Sequence, residues 1–363
     1  MGAVAHCVIV DAPAPRPRVL IVGSGGIGGI VTAALLEHGA SEVCALTTNQ
    51  EIARAVSERG FRVCGVDGAR TVRGACRTKL SGEDPPFDFV MLAVQPPQVE
   101  GAVRDTLPWL APDGAMVCLQ NGLCEERVEK IVGPDRVLGA VVSWGAAMPE
   151  PGLYERTAHG GFTLGRLDGR QDPRLPTLRM LLEVVGPTEI TPNLLGARWS
   201  KLAINCAIST LGTIGGDRLG ALMMHLSVRR LALRIMAETV RVARKLEVRL
   251  EKVSGTLDLE WMALTDEELA SPASPALVTR HAMLLAVGAR YRRMRSSMLS
   301  AIERGRTPAV DYLNGEVVTR GRAVGVPTEV NAAAQAAVHA IAEGRARCGM
   351  PAIYALAEEV GAR

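Results

Sequence analysis

A lysine, an asparagine and a serine follow one another at intervals of four residues in a mostly apolar stretch, 198–211. They are Lys201, Asn205 and Ser209. Residues four apart on an α-helix share one face, because each step turns the position by only about 40°. Burial disfavours the charged form of a lysine and lowers its pKa, which suits a general acid near neutral pH. The structural alternative is that Lys201 reaches solvent and Asn205 bonds a loop.

A glycine-rich turn near the start of the chain indicates a bound cofactor beside which such a lysine could act. A β-branched run at 18–22 precedes it, a helical pattern at 27–38 follows, and a second strand is predicted at 42–46. In the pattern Gly-x-Gly-x-x-Gly, the glycines permit a tight turn, approach of a pyrophosphate and packing of the helix on the strand. The alternative is a purely structural turn. The predicted dinucleotide-binding residues here are Gly23, Ser24, Gly25, Gly26, Ile27 and Gly28.

The end of the second strand bears on the choice between NADP and NAD. An acid at this position bonds the ribose hydroxyls and repels a 2′-phosphate. The segment contains Thr47, Thr48 and Asn49, no acid precedes Glu51, and Arg54 lies nearby. This composition favours NADP and leaves NAD open. The alternative is that Thr48 and Asn49 only cap the next helix.

Two further apolar strands end in polar side chains. The strand at 87–94 is followed by Gln95, and the strand at 115–119 is followed by Asn121-Gly122. Ligands of parallel sheets lie beyond the carboxyl ends of the strands, so Gln95 and Asn121 are expected to face the cofactor crevice. For Asn121 the alternative is a plain Asn-Gly turn.

The order of the elements predicts two domains. Further strands are expected at 137–144, 153–157 and 161–164, and a helix at 173–185, whereas almost every segment from residue 195 onward has helical periodicity. We therefore predict an α/β Rossmann-like N-terminal domain followed by an all-α C-terminal domain, with the active site in the cleft between them. The predicted bounds are 1–17 for a flexible leader, 18–190 for the first domain and 191–363 for the second.

Composition excludes several other classes of protein. With 41 Lys+Arg and 38 Asp+Glu, the net charge of +3 argues against a nucleic-acid partner, and aromatic residues make up only 3 %. No apolar run is long enough for a membrane span. The eight cysteines include no Cys-x-x-Cys pair, so no metal site is expected. Without a signal peptide, we expect reduced thiols and a cytoplasmic protein.

Taken together, the motifs resemble those of the ketopantoate reductase (2-dehydropantoate 2-reductase) family. The resemblance covers residues 18–340. The motifs agree in order and spacing: the glycine-rich turn, Gln120-Asn121-Gly122, Trp199-x-Lys201 followed by Asn205, Ser296-Ser297-Met298, and Asp311-Tyr312-Leu313-Asn314-Gly315.

The resemblance implies a fold and a mechanism. The second domain would be a helical domain like that of 6-phosphogluconate dehydrogenase, and the protein would reduce a 2-oxo acid with NADPH, often as a homodimer. Lys201 matches the family's catalytic proton donor, and Asn121 matches the asparagine beside nicotinamide and lysine. Asn205 matches the family asparagine at the substrate, and Ser297 matches the serine that bonds the substrate carboxylate. Ser209, a further expected substrate contact, stands where some members have a second asparagine.

The chain also departs from the family pattern. Ala309 stands at the usual glutamate, Gln95 at a common lysine, and Ser300 and Ala301 where an aspartate is frequent. The nicotinamide residues are thus retained, whereas part of the set that recognises and orients ketopantoate in the family is altered. Two alternatives stay open beside ketopantoate reduction: reduction of a different carbonyl or imine in a specialised pathway, and a non-catalytic NADP-binding sensor.

Overall fold

The computed structural model describes residues 16–252, 258–265, 267–268 and 274–362. The predicted leader at 1–17 lies almost wholly outside them. The N-terminal half alternates strands and helices. Its helices are α1 (Gly26–His38), α2 (Gln50–Arg59), α3 (Val99–Thr106), α4 (Glu125–Val132) and α5 (Leu175–Glu183). Its strands are β1 (Arg18–Val22), β2 (Glu42–Leu46), β3 (Phe61–Gly65), β4 (Arg70–Val72), β5 (Cys76–Arg77), β6 (Phe87–Leu92), β7 (Leu110–Cys118), β8 (Val137–Val142), β9 (Ala146–Glu150), β10 (Leu153–Arg156), β11 (Phe162–Gly165) and β12 (Thr188–Ile190).

The main sheet has eight strands in the order β12-β11-β8-β7-β6-β1-β2-β5. The six strands from β8 to β5 run parallel, and β11 pairs antiparallel with β8. Leu20, Ile21, Val90 and Met91 are fully buried, as expected for strands covered on both faces. The chain order reverses where β1 lies between β2 and β6, which opens a crevice at the carboxyl ends of these strands. The predicted Rossmann-like domain is confirmed.

A second sheet, in the order β4-β3-β10-β9, was only partly predicted. β10 matches the expected strand at 153–157, but β3, β4 and β9 were missed because they are short and only partly buried. This sheet packs on α1 so closely that a Cβ at Gly29 would lie 2.2 Å from the Tyr154 ring. β7 begins at Leu110 rather than at 115, and α5 is shorter than the helix expected at 173–185.

The C-terminal half is helical throughout the described residues, as predicted. The helices are α6 (Leu194–Gly215), α7 (Leu219–Met223), α8 (Leu226–Lys245), α9 (Leu259–Met262), α10 (Pro275–Arg290), α11 (Ser297–Glu303), α12 (Asn314–Val324), α13 (Glu329–Ala342) and α14 (Met350–Glu359). α6 is the central helix and contacts α7, α8, α11, α13 and α14.

A buried polar cross-link fixes α6 against its neighbours. The Asn314 side chain accepts a hydrogen bond from Thr210 Oγ1 at 2.5 Å and donates to the Cys206 carbonyl at 3.2 Å. It also donates to Asn331 Oδ1 on α13 at 2.9 Å. Because buried amides are costly unless satisfied, this network holds α6 in one position. The Asp-Tyr-Leu-Asn-Gly motif therefore helps to place the helix that carries Lys201.

The predicted boundary between the two domains falls at the end of β12. β12 ends at Ile190 and α6 begins at Leu194; the exact division at 190/191 stays a prediction. Among the residues that the structure describes, no helix is long and apolar enough to cross a bilayer.

Candidate active site

A cleft of 2210 Å³ lies between the two halves, bordered by the carboxyl ends of β1 and β6 and by α6. It brings together residues from distant parts of the sequence. Every predicted site residue except Gly28 lines it: Gly23, Ser24, Gly25, Gly26, Ile27, Thr47, Thr48, Gln95, Asn121, Lys201, Asn205, Ser209 and Ser297.

The glycine-rich turn has the geometry that a pyrophosphate requires. Gly23 has φ +101°, and a Cβ at Gly28 would lie 1.9 Å from the Gly23 carbonyl oxygen, so both positions need glycine. Apart from the adjoining residues of the chain, no atom of the described residues lies within 4 Å of the Cβ position at Gly25, which leaves space directly above the N-terminus of α1. The first amides of that helix have no intrahelical acceptor and attract an anion. These residues fit a dinucleotide phosphate.

The residues around this turn divide into internal and cleft-facing groups. The Ser24 hydroxyl is buried against Cys76 Sγ at 3.0 Å, so its side chain joins the turn to β5. Asn49 caps α2 by accepting from the amides of Glu51 and Ile52 at 2.8 and 3.2 Å. The capping alternative is thus correct for Asn49, whereas Thr48 is exposed at the edge of the cleft.

A smaller cavity of 460 Å³ lies beside α2 and β5, and the Thr47 amide donates to the carbonyl of its lining residue Arg77 at 2.9 Å. Arg54, Arg77 and Lys79 line it. Arg77 forms two hydrogen bonds with the Asp84 carboxylate, at 2.6 and 2.8 Å, which together with the Ser81 amide lower the pKa of Asp84 to about 2. Arg54 and Lys79 have no such partner among the described residues, so this cavity offers two cations to an anion.

Lys201 lies on the face of α6 that borders the cleft and is half-buried. Burial lowers the pKa of Lys201 to about 8, and the nearby Arg198 guanidinium acts in the same direction. Asn205 is buried one turn further along, and its Nδ2 has no hydrogen-bond acceptor among the described residues. Buried polar atoms without partners are rare, so Asn205 is available to a bound molecule.

Gln120 was not predicted as a site residue, although its neighbour Asn121 was. Its side chain is 4 % exposed and lines the cleft, and neither amide atom has a partner in the described structure. The following Gly122 has φ +88°, and a Cβ there would lie 2.6 Å from the Tyr312 carbonyl oxygen. The tight Asn-Gly turn thus exposes Asn121 to the cleft and packs against the helical half.

Arg198 connects the two walls of the cleft and was also missed. It is buried, forms an ion pair with Glu125 and donates to the carbonyls of Gln120 and Cys118 at 2.7 and 2.8 Å. The pKa of Glu125 is raised because burial outweighs the attraction of Arg198. Arg198 therefore joins the start of α6, close to Lys201, to the end of β7, close to Asn121.

The two serines of the Ser-Ser-Met motif have different roles. Ser296 is buried, caps α11 and bonds both Thr213 Oγ1 and the Ser209 carbonyl at 2.8 Å. Ser297 is exposed and faces the cleft. Ser296 thus ties α11 to α6 and leaves Ser297 free for a ligand. Ala309 is buried outside the cleft, whereas Ser300 and Ala301 line it.

A Rossmann-like sheet with an open glycine-rich turn, facing a lysine of lowered pKa across a cleft, defines the class of nicotinamide-nucleotide oxidoreductases. The family model described as "Ketopantoate reductase PanE/ApbA" matches residues 19–169, and its C-terminal counterpart matches residues 193–342. The chain belongs to the ketopantoate reductase family.

Individual relatives agree with this assignment. The chain is 30 % identical over 313 residues to the 2-dehydropantoate 2-reductase of Halobacterium salinarum, covering 84 % of this chain and 92 % of that protein. The ketopantoate reductase structure from Ralstonia eutropha JMP134 superposes with a TM-score of 0.73 at 23 % identity, covering 90 % and 99 %. D-mandelate dehydrogenase with NADH and anilino(oxo)acetate gives a TM-score of 0.75 at 19 % identity, with the same coverage. Both structures support the fold alone.

Proposed function

We propose that this protein uses NADPH to reduce a 2-oxo acid, such as ketopantoate, to the 2-hydroxy acid, with Lys201 as the proton donor. One observation carries the proposal. A lysine with a pKa of about 8 and a dinucleotide turn shaped for a pyrophosphate line the same cleft.

The cofactor would extend along the sheet side of the cleft. The turn at Gly23–Gly26 and the N-terminus of α1 would hold its pyrophosphate. Thr47 and Thr48 would border the adenosine ribose, and Arg54 would bond a 2′-phosphate. Gln95 and Asn121 would border the nicotinamide. When bound, the nicotinamide nucleotide supplies the hydride that the carbonyl carbon receives.

Lys201 would supply the proton that the carbonyl oxygen takes up. With a pKa of about 8, the ammonium form is predominant at pH 7, and its lowered pKa makes transfer easier than from an ordinary lysine. Because Lys201 keeps partial contact with solvent, it can regain a proton from water after each turnover. Its positive charge also stabilises the oxygen as negative charge develops.

The substrate would be oriented by polar groups on the helical side. Ser297 would bond the carboxylate, and Asn205 and Ser209 would face the rest of the molecule, one turn apart on α6. The unpartnered amide of Gln120 is a further candidate contact. Support comes from the placement of all four side chains on the cleft.

The test is NADPH oxidation by purified protein with ketopantoate and other 2-oxo acids, followed by absorbance at 340 nm. In Lys201→Ala we expect kcat to fall by about 10²–10⁴-fold, the usual contribution of general acid catalysis. Binding of NADPH, followed by its fluorescence, should stay unchanged. Lys245→Ala, which removes an exposed lysine from α8, is the matched control. Full turnover in Lys201→Ala would refute the mechanism; NADPH binding without any turnover would favour the sensor alternative.

The pH profile gives a second measure of Lys201. Because reduction requires the ammonium form, kcat should be constant below the pKa of about 8 and fall by about tenfold per pH unit above it. Oxidation of the hydroxy acid requires the neutral amine and should change in the opposite direction. A reduction rate that is flat from pH 7 to 10 would contradict the assignment.

We also propose a reducing compartment such as the cytoplasm, supported by the seven described cysteines, which are all free thiols. The homodimer stays a prediction, which light scattering of the purified protein would test.

A further inference from the structure

The helical side of the cleft is strongly basic at its mouth. Seven exposed arginines line it, and we name them the arginine rim. Three come from the segment between α10 and α11, one is the last residue of α10, one precedes α7 and two follow α11. The arginine rim comprises Arg218, Arg290, Arg292, Arg293, Arg295, Arg304 and Arg306.

Few carboxylates balance this charge. The only acids that line the cleft in the described structure are Asp105, Glu155 and Asp217, and the first two belong to the sheet side. Within the rim, Arg295 pairs with Glu303 at 2.5 and 2.7 Å. Arg292 and Arg293 form no ion pair with any described residue. Adjacent like charges without counterions repel one another, so this position gains most from a bound anion.

The backbone under these arginines is anchored. The Met294 carbonyl accepts from the Leu219 amide at 2.9 Å, and the Met294 amide donates to the Tyr291 carbonyl at 2.9 Å. A Cβ at Gly220 would lie 2.8 Å from the Arg292 Cα, so this segment packs tightly on α7. The guanidinium groups are therefore carried by a fixed turn, which lowers the entropy lost when they bind a ligand.

The arginines are close in sequence to the proposed carboxylate position. Arg293 precedes Ser297 by four residues, and four residues of chain span at most about 14 Å. A small molecule whose carboxylate bonds Ser297 can thus place a second group near Arg292 and Arg293. Guanidinium groups bind carboxylates and phosphates through paired hydrogen bonds, so that second group would be an anion.

We propose that the substrate is a dianion: a 2-oxo acid that carries a second carboxylate or a phosphate, bound by Arg292 and Arg293. This inference rests on the proposed reduction of a 2-oxo acid at Lys201. It specifies the substrate class and makes a simple monocarboxylate the poorer substrate.

Matched substrates separate the second charge from the reacting group. 2-Oxopentanoate and 2-oxoglutarate share a five-carbon chain and differ in one terminal carboxylate. 2-Oxo-4-hydroxybutanoate and its 4-phosphate form the corresponding phosphate pair. For wild-type protein we expect kcat/KM to be at least about tenfold higher for the dianion of one pair, mainly through a lower KM. The pair with the larger ratio identifies the natural anion. Equal kcat/KM within both pairs would overturn the proposal.

The double variant R292S/R293S should reduce this dianion-to-monoanion ratio by about tenfold. R73S/R347S removes the same charge from exposed loops outside the cleft and should leave the ratio unchanged. Raising NaCl from 0.05 to 0.5 M should lower the ratio in wild-type protein, because salt screens exposed charges. A ratio that R292S/R293S leaves unchanged would overturn the assignment of the second anionic group to Arg292 and Arg293.

A binding measurement distinguishes failure of this inference from failure of the proposed function. If wild-type protein reduces none of these acids, the proposed reaction is wrong for them, and calorimetric titration of 2-oxoglutarate and of inorganic pyrophosphate into NADP-loaded protein tests the anion site directly. Affinity that falls at least about tenfold in R292S/R293S, and not in R73S/R347S, supports an anion site. Equal affinity in all three proteins, or no binding at all, overturns it.

Discussion

The two walls of the cleft are built to contact ligands in different ways. On the sheet wall, the glycine-rich turn presents backbone amides to the cleft. The space above these amides is open because Gly25 has no side chain. On the helical wall, Lys201, Asn205 and Ser297 project from packed helices, and the backbone is already paired within them. A backbone site needs particular conformations, whereas a side-chain site needs helices held at the correct positions.

Because of this difference, substitutions on the two walls should impair different steps. A substitution on the sheet wall should weaken cofactor binding by occupying the space that the cofactor needs. A change beneath the helical wall should alter catalysis through the placement of α6. Arg198 bonds elements of both walls, so its substitution gives the strongest test of this difference between them.

The largest effect is expected for Arg198→Met, which keeps the volume of the side chain but leaves Glu125 buried without its cation. Breaking one side of a buried ion pair costs about 3–5 kcal/mol, so the free energy of unfolding should fall by that amount. Urea denaturation measures the loss.

The double variant R198M/E125L separates charge from positioning. Removing both charges should restore most of the stability. It does not restore the hydrogen bonds from Arg198 to the carbonyls of Cys118 and Gln120, so kcat should stay below that of the wild type, whereas NADPH affinity should equal that of the wild type. Recovery of both stability and kcat would mean that Arg198 only neutralises Glu125, and that the two walls do not depend on this connection.

The sheet wall was more predictable from the sequence than the helical wall. The glycine spacing, the flanking strands and Asn121 follow from local pattern, because the backbone of a nucleotide-binding turn is determined within about 30 residues. Helical spacing placed Lys201, Asn205 and Ser209 on one face, whereas their roles were implied only by the family resemblance. In contrast, β3, β4 and β9 gave no clear pattern, since each is short and half-exposed.

Three other features depended on tertiary contacts. Gln120 resembled an ordinary strand end, and only its unpartnered amide marks it. Arg198 lies in the first turns of an apolar helix, and nothing in the sequence indicates Glu125 as its partner. Among 41 lysines and arginines, no local signal distinguishes Arg292 and Arg293, because facing the cleft depends on how α10 and α11 pack.

A pair of glycine variants tests the sheet wall with a smaller effect. A Cβ in Gly28→Ala would lie 1.9 Å from the Gly23 carbonyl oxygen, so the turn must shift and the protein should lose about 1–3 kcal/mol of stability. Gly25→Ala meets no protein atom and should retain its stability to within about 0.5 kcal/mol.

The same Gly25→Ala change places a methyl group where the pyrophosphate would approach, so the Kd for NADPH should rise by about tenfold or more. Thermal unfolding and NADPH fluorescence titration measure the two quantities on the same samples. Unchanged NADPH affinity in a stable Gly25→Ala protein would show that the pyrophosphate does not lie against this turn.

The smallest effect concerns the side chain that would give the sheet wall its preference for NADPH. Arg54 is exposed at the cavity beside α2, where Arg77 is already paired with Asp84. A charge-assisted hydrogen bond to a 2′-phosphate contributes about 1.5 kcal/mol, so Arg54→Ala should raise the Kd for NADPH by about tenfold. The Kd for NADH should not change, because NADH lacks that phosphate. Arg59→Ala, in the last turn of the same helix and away from both cavities, is the control. Tighter binding of NADH than of NADPH to wild-type protein would refute the preference.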